Sequence, residues 1–139
     1  MKTFSKIVVS TCLLACSAIA YAENVIVVSA KSSVASMTKE QVADLYLGNT
    51  KEFPGGGVAL PLLPNSGATR TEFFDKVLGK NEAQAKAIWS RLVFSGKGSA
   101  PRDVADSAET VKLIAANPSC IGVIEKSAVN SSVKVVFTP

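Results

Sequence analysis

The run Asn24-Val25-Ile26-Val27-Val28-Ser29 constrains this chain more than any other feature. Its four central residues are all β-branched, which favours an extended strand. Apolar residues stand at successive positions rather than alternate ones, so both faces of the strand must be covered. A strand covered on both sides needs a layer above and a layer below. The rest of the chain has the pattern to supply them.

After a Ser-rich turn, Thr38 stands three residues before Gln41, a capping box, and Val42, Leu45 and Tyr46 follow at helical spacing up to Gly48. Pro54 and the glycines at 55, 56 and 57 make a turn. Residues 58–63 read as a second apolar strand, in which Pro61 marks an edge or the strand's end. A break at Pro64-Asn65-Ser66-Gly67 precedes a helix from about residue 68 to residue 78, with Phe73, Phe74, Val77 and Leu78 on its apolar face. Asn81 caps another helix, along which Ala85, Ile88, Trp89, Leu92 and Val93 recur at three- and four-residue steps. Residues 95–101 read as a loop. Ser107 and Thr110 flank the start of a further helix, which Asn117-Pro118 closes. Strands over 120–124 and 133–137 end the chain. Strands alternating with helices predict an α/β domain of the three-layer type with a mostly parallel sheet.

Residues 1–22 have a different character. Lys2 and Lys6 precede an uncharged apolar run, and Ala20-Tyr21-Ala22 forms a small-x-small cleavage site before Glu23. That order is the pattern of a secretory signal, and the run is short for a membrane span. The expected product is a periplasmic or secreted domain of residues 23–139, cut after Ala22. Leu13-Leu14-Ala15-Cys16 offers a secondary reading as a lipoprotein box with lipid on Cys16. Without Lys2 and Lys6 the mature chain carries thirteen basic residues against eleven acidic ones, a net charge of +2. These charges are interspersed, so a nucleic-acid partner is not indicated.

Of the three cysteines, Cys12 and Cys16 fall in the signal, and Cys120 has no partner for a disulfide. The fold must hold by its apolar core. The chain contains no histidine, which removes Ser-His-Asp and Cys-His catalysis and the commonest zinc ligand. No cofactor motif is present.

The densest local feature is the strand-to-helix turn Ser66-Gly67-Ala68-Thr69-Arg70. A helix start leaves unpaired N–H groups at a positive dipole end. Gly67 permits close backbone approach, Ser66 and Thr69 add hydroxyls, and Arg70 adds a planar set of donors. The turn suits phosphate, sulfate or a carboxylate. Ordinary capping by Ser66, with Glu72 and Asp75 complementing the dipole, explains the same residues equally well. Lys97 and Gly98, between residues 95 and 99, form a secondary candidate, although the spacing is not that of a P-loop. A solvent-exposed turn is the simpler account of Lys97. Trp89 lies on an apolar helical stripe and reads as core.

Three segments together resemble periplasmic phosphate-binding proteins of ABC transporters. They are Thr38-Lys39-Glu40-Gln41-Val42-Ala43-Asp44-Leu45-Tyr46-Leu47-Gly48, the turn Asn65-Ser66-Gly67-Ala68-Thr69-Arg70, and Pro118 to Glu125. The stretch Trp89 to Pro101 resembles the corresponding segment of short, single-domain members of that group. The resemblance implies one lobe of a type II periplasmic binding protein and a phosphate or similar oxyanion as ligand. It implies contacts at Ser66, Gly67 and Thr69, with Arg70 matching an arginine of related loops. Two departures stand out: Ala68 is inserted before Thr69, and Val123 replaces an aromatic residue. Full-length members close two lobes around the anion, so a single lobe should bind weakly.

A second reading makes the chain an envelope interaction module that does not itself transport or tightly bind phosphate. Its partner would be a membrane transporter, an envelope protein or a second copy. An enzyme ranks third: Ser66 lacks a nucleophile elbow, and only Lys97 could serve as its base.

Overall fold

The structure is a computed structural model and describes residues 23–139. The expected signal peptide, its cut after Ala22 and the Cys16 alternative lie outside the described residues.

Strand β1 (Asn24–Ser29) is buried over its whole length. Its side chains alternate between two cores. Ile26 and Val28 enter the larger apolar cluster on one face of the sheet, and Val25 and Val27 the smaller one on the other. The double-sided cover that the apolar run demands is therefore present.

Helix α1 (Lys39–Tyr46) starts at the expected capping box: the Gln41 N–H donates to Thr38 Oγ1, and the Thr38 N–H donates to Gln41 Oε1. Gly48, at φ +78°, turns the chain out of it. Strand β2 (Leu60–Pro64) leads into α2 (Ala68–Phe73), which continues as a π-helical turn, Phe74–Leu78, ended by Gly79 in the left-handed region. Helix α3 (Glu82–Phe94) begins at a second capping box, Asn81 with Gln84. Next come β3 (Arg102–Val104), α4 (Ser107–Ala116), β4 (Cys120–Glu125) and β5 (Val133–Phe137).

The five strands lie in the order β3-β2-β4-β1-β5. β2 pairs parallel with both β3 and β4, while β1 pairs antiparallel with both β4 and β5. Four strands thus point one way and β1 alone runs against them, which refines the expected mostly parallel sheet. Residues of α1, α2, the π turn and α3 pack in the larger cluster, and those of α4 in the smaller one. This is the three-layer α/β arrangement.

Two expectations are corrected. β2 is an interior strand, so Pro61 stands near the strand's beginning and not on a sheet edge. Pro61 is tolerated there because the β4 ladder covers only Leu60 and Pro61, and the β3 ladder begins at Leu62. The hydroxyl of buried Tyr46 covers the point of divergence, donating to the Leu62 carbonyl at 2.7 Å with the Ile121 carbonyl at 3.3 Å. Burial pushes the Tyr46 hydroxyl far above its usual ionisation range, so it stays a donor. The second correction is β3, which lies just beyond the expected loop and is read from no apolar run.

Trp89 packs in the core, and its indole N–H donates to the Tyr46 carbonyl at 2.8 Å. Among the described residues no helix is long and apolar enough to cross a membrane.

Candidate functional site

Parallel strands deliver their following loops to one rim, and β2, β3 and β4 end together. The turn after β2, the residues 105–107 after β3 and Glu125 at the end of β4 surround a cleft of about 180 Å³. Its walls include Ser66, Gly67, Ala68 and Thr69 from one side and Asp106 and Ser107 from the other. Four of the five residues of the expected cradle are therefore together at the mouth of one cleft, at the carboxyl ends of parallel strands where α/β folds commonly hold ligands.

The turn itself is built for exposed amides. Asn65 is anchored by its N–H to the Val104 carbonyl at 2.9 Å, which ties β2's exit to β3. Gly67 then takes φ +92°, ψ 179° as the N-cap residue of α2, and a Cβ there would meet nothing within 4 Å. A left-handed φ explains the glycine, and the open space leaves the backbone approachable. The first helical hydrogen bond runs from the Thr71 N–H to the Gly67 carbonyl, so the amides of Ala68, Thr69 and Arg70 have no acceptor within the helix. No side chain caps this end. Ser66 bonds instead to the Asn65 side chain at 3.2 Å, so the capping account of Ser66 fails. Thr69 Oγ1 donates to Asn24 Oδ1 at 3.2 Å, and Asn24 Nδ2 donates to Glu72 Oε2 at 2.6 Å, fixing the start of β1 against the same turn.

Helix α4 treats its start differently. The Asp106 side chain accepts the Glu109 N–H, and the Glu109 carboxylate accepts the Ala105 N–H. The N-cap is Asp106, not Ser107, whose hydroxyl oxygen accepts the Glu125 N–H at 3.2 Å. The cleft thus has an amide-rich wall and a wall carrying two carboxylates, Asp106 and Glu125.

Arg70 does not join the cradle. It is 8% exposed and its side chain turns inward from the cleft. Nη1 donates to the Pro64 carbonyl at 2.8 Å and lies 3.7 Å from Asp103 Oδ1, Nε pairs with Glu82, and the guanidinium lies 5.1 Å from the centre of the Phe74 ring. The hydrogen bond from Arg70 holds the Glu82 carboxyl below its ordinary range. These four contacts use the charge to clamp the turn to α3 and β3. Local spacing could not reveal this, because Glu82 and Asp103 reach Arg70 only through the folded sheet.

Lys97 and Gly98 are also elsewhere. Their loop enters β3 at its amino end, whereas the Ser66 turn leaves the parallel neighbour β2 at its carboxyl end. The two loops sit on opposite rims, and neither Lys97 nor Gly98 lines the cleft. Conversely, Ala105, Ser107 and Glu125 line the cleft and were missed by sequence reasoning. The available signal was the sheet: recognising three residues, Arg102–Val104, as a strand would have brought residues 105–107 to the Ser66 rim.

Cys120 is buried in β4, and burial pushes its thiol pKa up, so it is not a reactive nucleophile. No cluster of three metal-ligating side chains occurs among the described residues.

No family model matches the sequence, and no curated protein matches it. Solved structures do. A phosphate ABC transporter substrate-binding protein with bound phosphate from Clostridium perfringens matches over 82% of this chain and 44% of its own, with a TM-score of 0.65 and 20% identity. An ABC-type phosphate transport receptor from Vibrio cholerae matches over 82% of this chain and 45% of its own, with a TM-score of 0.64 and 20% identity. PstS from Borrelia burgdorferi matches over 82% and 46%, with a TM-score of 0.59 and 15% identity. The chain spans less than half the length of these structures. At such identities the likeness is one of fold: this chain has the α/β architecture that those binding proteins show over a lobe-sized part of their length.

Proposed function

We propose that this chain is an exported oxyanion-binding domain of the phosphate-binding type, holding its ligand at the Ser66-Gly67-Ala68-Thr69 turn. The observation that carries the reading is the uncapped start of α2, whose first residues, Ala68 and Thr69, line an open cleft beside a glycine with no Cβ contact. Amides at a helix start bind anions through direct donors and the positive dipole end. The fold likeness to phosphate-binding proteins supports the same reading.

The opposite wall sharpens the choice of anion. Asp106 and Glu125 repel a fully ionised oxyanion but accept a hydrogen bond from one that still carries O–H. Hydrogen phosphate brings such a donor and sulfate does not. Phosphate therefore binds in preference to sulfate, and weakly, because the cleft is open to water and no cation lines it. Arg70 serves by holding the turn in shape.

Calorimetry with phosphate and with sulfate on residues 23–139 tests this, with Gly67→Val as the site variant. Heat with phosphate at millimolar concentration, less with sulfate, and none in Gly67→Val is the expected result. No heat with either anion overturns the reading.

A second reading, an interaction module, is favoured by one observation. Phe94 at the end of α3 is 96% exposed, and Val93 beside it is 57% exposed. Large apolar side chains left together on a surface mark a contact site.

A further inference from the structure

The end of α3 and the loop after it form a basic stretch. From Ala83 to Pro101 the chain contains no Asp or Glu, and it contains Lys86, Arg91 and Lys97, all exposed. The two acids that bound this stretch most closely, Glu82 and Asp103, both turn onto the buried Arg70. Arg70 offsets part of their charge, and the stretch itself carries three exposed cations and no acid. Phe94 stands three residues after Arg91 and three before Lys97. Lys86 and Val93, seven residues apart, share a helical face beside it. Phe94 and Val93 also border a shallow groove of about 530 Å³ lined by Trp89 and Pro101, with Lys86 and Asp103 as charged lining residues.

We propose that this tip docks the domain on an anionic lipid surface, with Phe94 and Val93 entering the headgroup boundary and Lys86, Arg91 and Lys97 meeting lipid phosphates. Charge complementarity sets the sign of the surface: an acid-free stretch with three exposed cations attracts anionic headgroups and is indifferent to neutral ones. Shape sets its kind. A ring that is almost wholly exposed at a helix end protrudes, and a protruding ring is desolvated by a medium that closes around it. Aromatic and basic residues side by side are the composition of interfacial anchors. The inference gives the interaction reading its partner, and anion binding at the Ser66 cleft is independent of it.

The test is co-sedimentation of residues 23–139, which contain both apolar cores, with vesicles of phosphatidylglycerol mixed with phosphatidylcholine and with vesicles of phosphatidylcholine alone. Leaving out residues 1–22 keeps their apolar run from partitioning by itself. The expected result is binding to the anionic vesicles at least tenfold tighter than to the neutral ones, weakened as salt shortens the Debye length below about 10 Å. Phe94→Ser, at an exposed position where folding is not at stake, lowers that binding at least tenfold. Phe94→Trp shifts its emission to the blue on anionic vesicles. Equal binding to both vesicle types, or unchanged binding by Phe94→Ser, overturns the proposal. Soluble poly-glutamate is the control: if it binds and the vesicles do not, and Phe94→Ser abolishes that binding, the lipid assignment is wrong and the interaction reading survives with an acidic protein as partner.

Discussion

The Arg70 guanidinium donates to the Pro64 carbonyl at 2.8 Å, closing a ring of seven residues, Pro64 to Arg70, around the turn that faces the cleft. The donor is buried and so is Pro64. A charge that local spacing assigns to the ligand is thus spent on the backbone that presents the ligand's amides.

Removing that charge should loosen the turn without breaking the sheet. Arg70→Ala leaves the Pro64 carbonyl without this donor and strips the Phe74 ring of its cation. Glu82 and Asp103 are substantially exposed and return to water. An unsatisfied buried acceptor costs about 1–3 kcal/mol. Urea unfolding should show a lower midpoint at an unchanged m-value, and a variant as stable as the parent would contradict the clamp.

The same pair sets a pH dependence. Arg70 lowers the Glu82 carboxyl in the folded protein. A lowered folded value means the contribution is fully present above the ordinary carboxylate range and is lost as pH falls through the folded value. Stability should therefore decline on acidification, and Glu82→Gln should flatten that decline while leaving less to lose. Urea midpoints between neutral pH and about pH 3, compared for the two proteins, measure the difference.

Much of this architecture is readable from the chain. Thr38 with Gln41 and Asn81 with Gln84 announce two helices because a capping box is local chemistry. The β-branched run at 24–29 announces a strand with two covered faces. What escapes is whatever depends on distant partners. β3 is three residues long and two of them are exposed charges, so no period can reveal it. Its pairing with β2 creates it. Through β3, Asp106 and Ser107 come to the Ser66 rim, and Lys97 is carried to the other one. The cradle's residues were legible, but their surroundings required the sheet.

Gly122 offers a test of how closely α4 lies on that sheet. A Cβ at this position would stand 2.4 Å from Thr110 Cγ2 and 3.2 Å from Ile114 Cδ1. Gly122→Ala should destabilise by about 1–3 kcal/mol, the usual cost of overpacking. Thr110→Ser removes the obstructing methyl and keeps the hydroxyl that donates to the Asp106 carbonyl at 2.9 Å. The double variant should recover part of the loss, and a double-mutant cycle gives the coupling. Additive losses would mean the two groups do not meet.

Cys120 should behave as core. Its thiol is buried and its pKa is pushed up by that burial, so thiolate is scarce at neutral pH. A thiol reagent should label the native protein slowly and the urea-unfolded protein at the rate of a free cysteine. Fast native labelling would show that β4 opens readily.

Lys97 separates the two surfaces of the molecule. It lies on the rim opposite the Ser66 turn and does not line the cleft. A single charge on the far rim acts across water and is screened by ordinary salt. Lys97→Ala should therefore leave phosphate affinity at residues 66–69 unchanged in calorimetry at moderate ionic strength. The same substitution removes one of the three cations beside Phe94. A basic residue near an anionic surface contributes about 1 kcal/mol, roughly a fivefold change in affinity. Lys97→Ala should thus weaken binding to phosphatidylglycerol-containing vesicles several-fold. If phosphate affinity falls instead and vesicle binding does not, the two loops share one site after all, and the sheet directions assigned to β2 and β3 are in error.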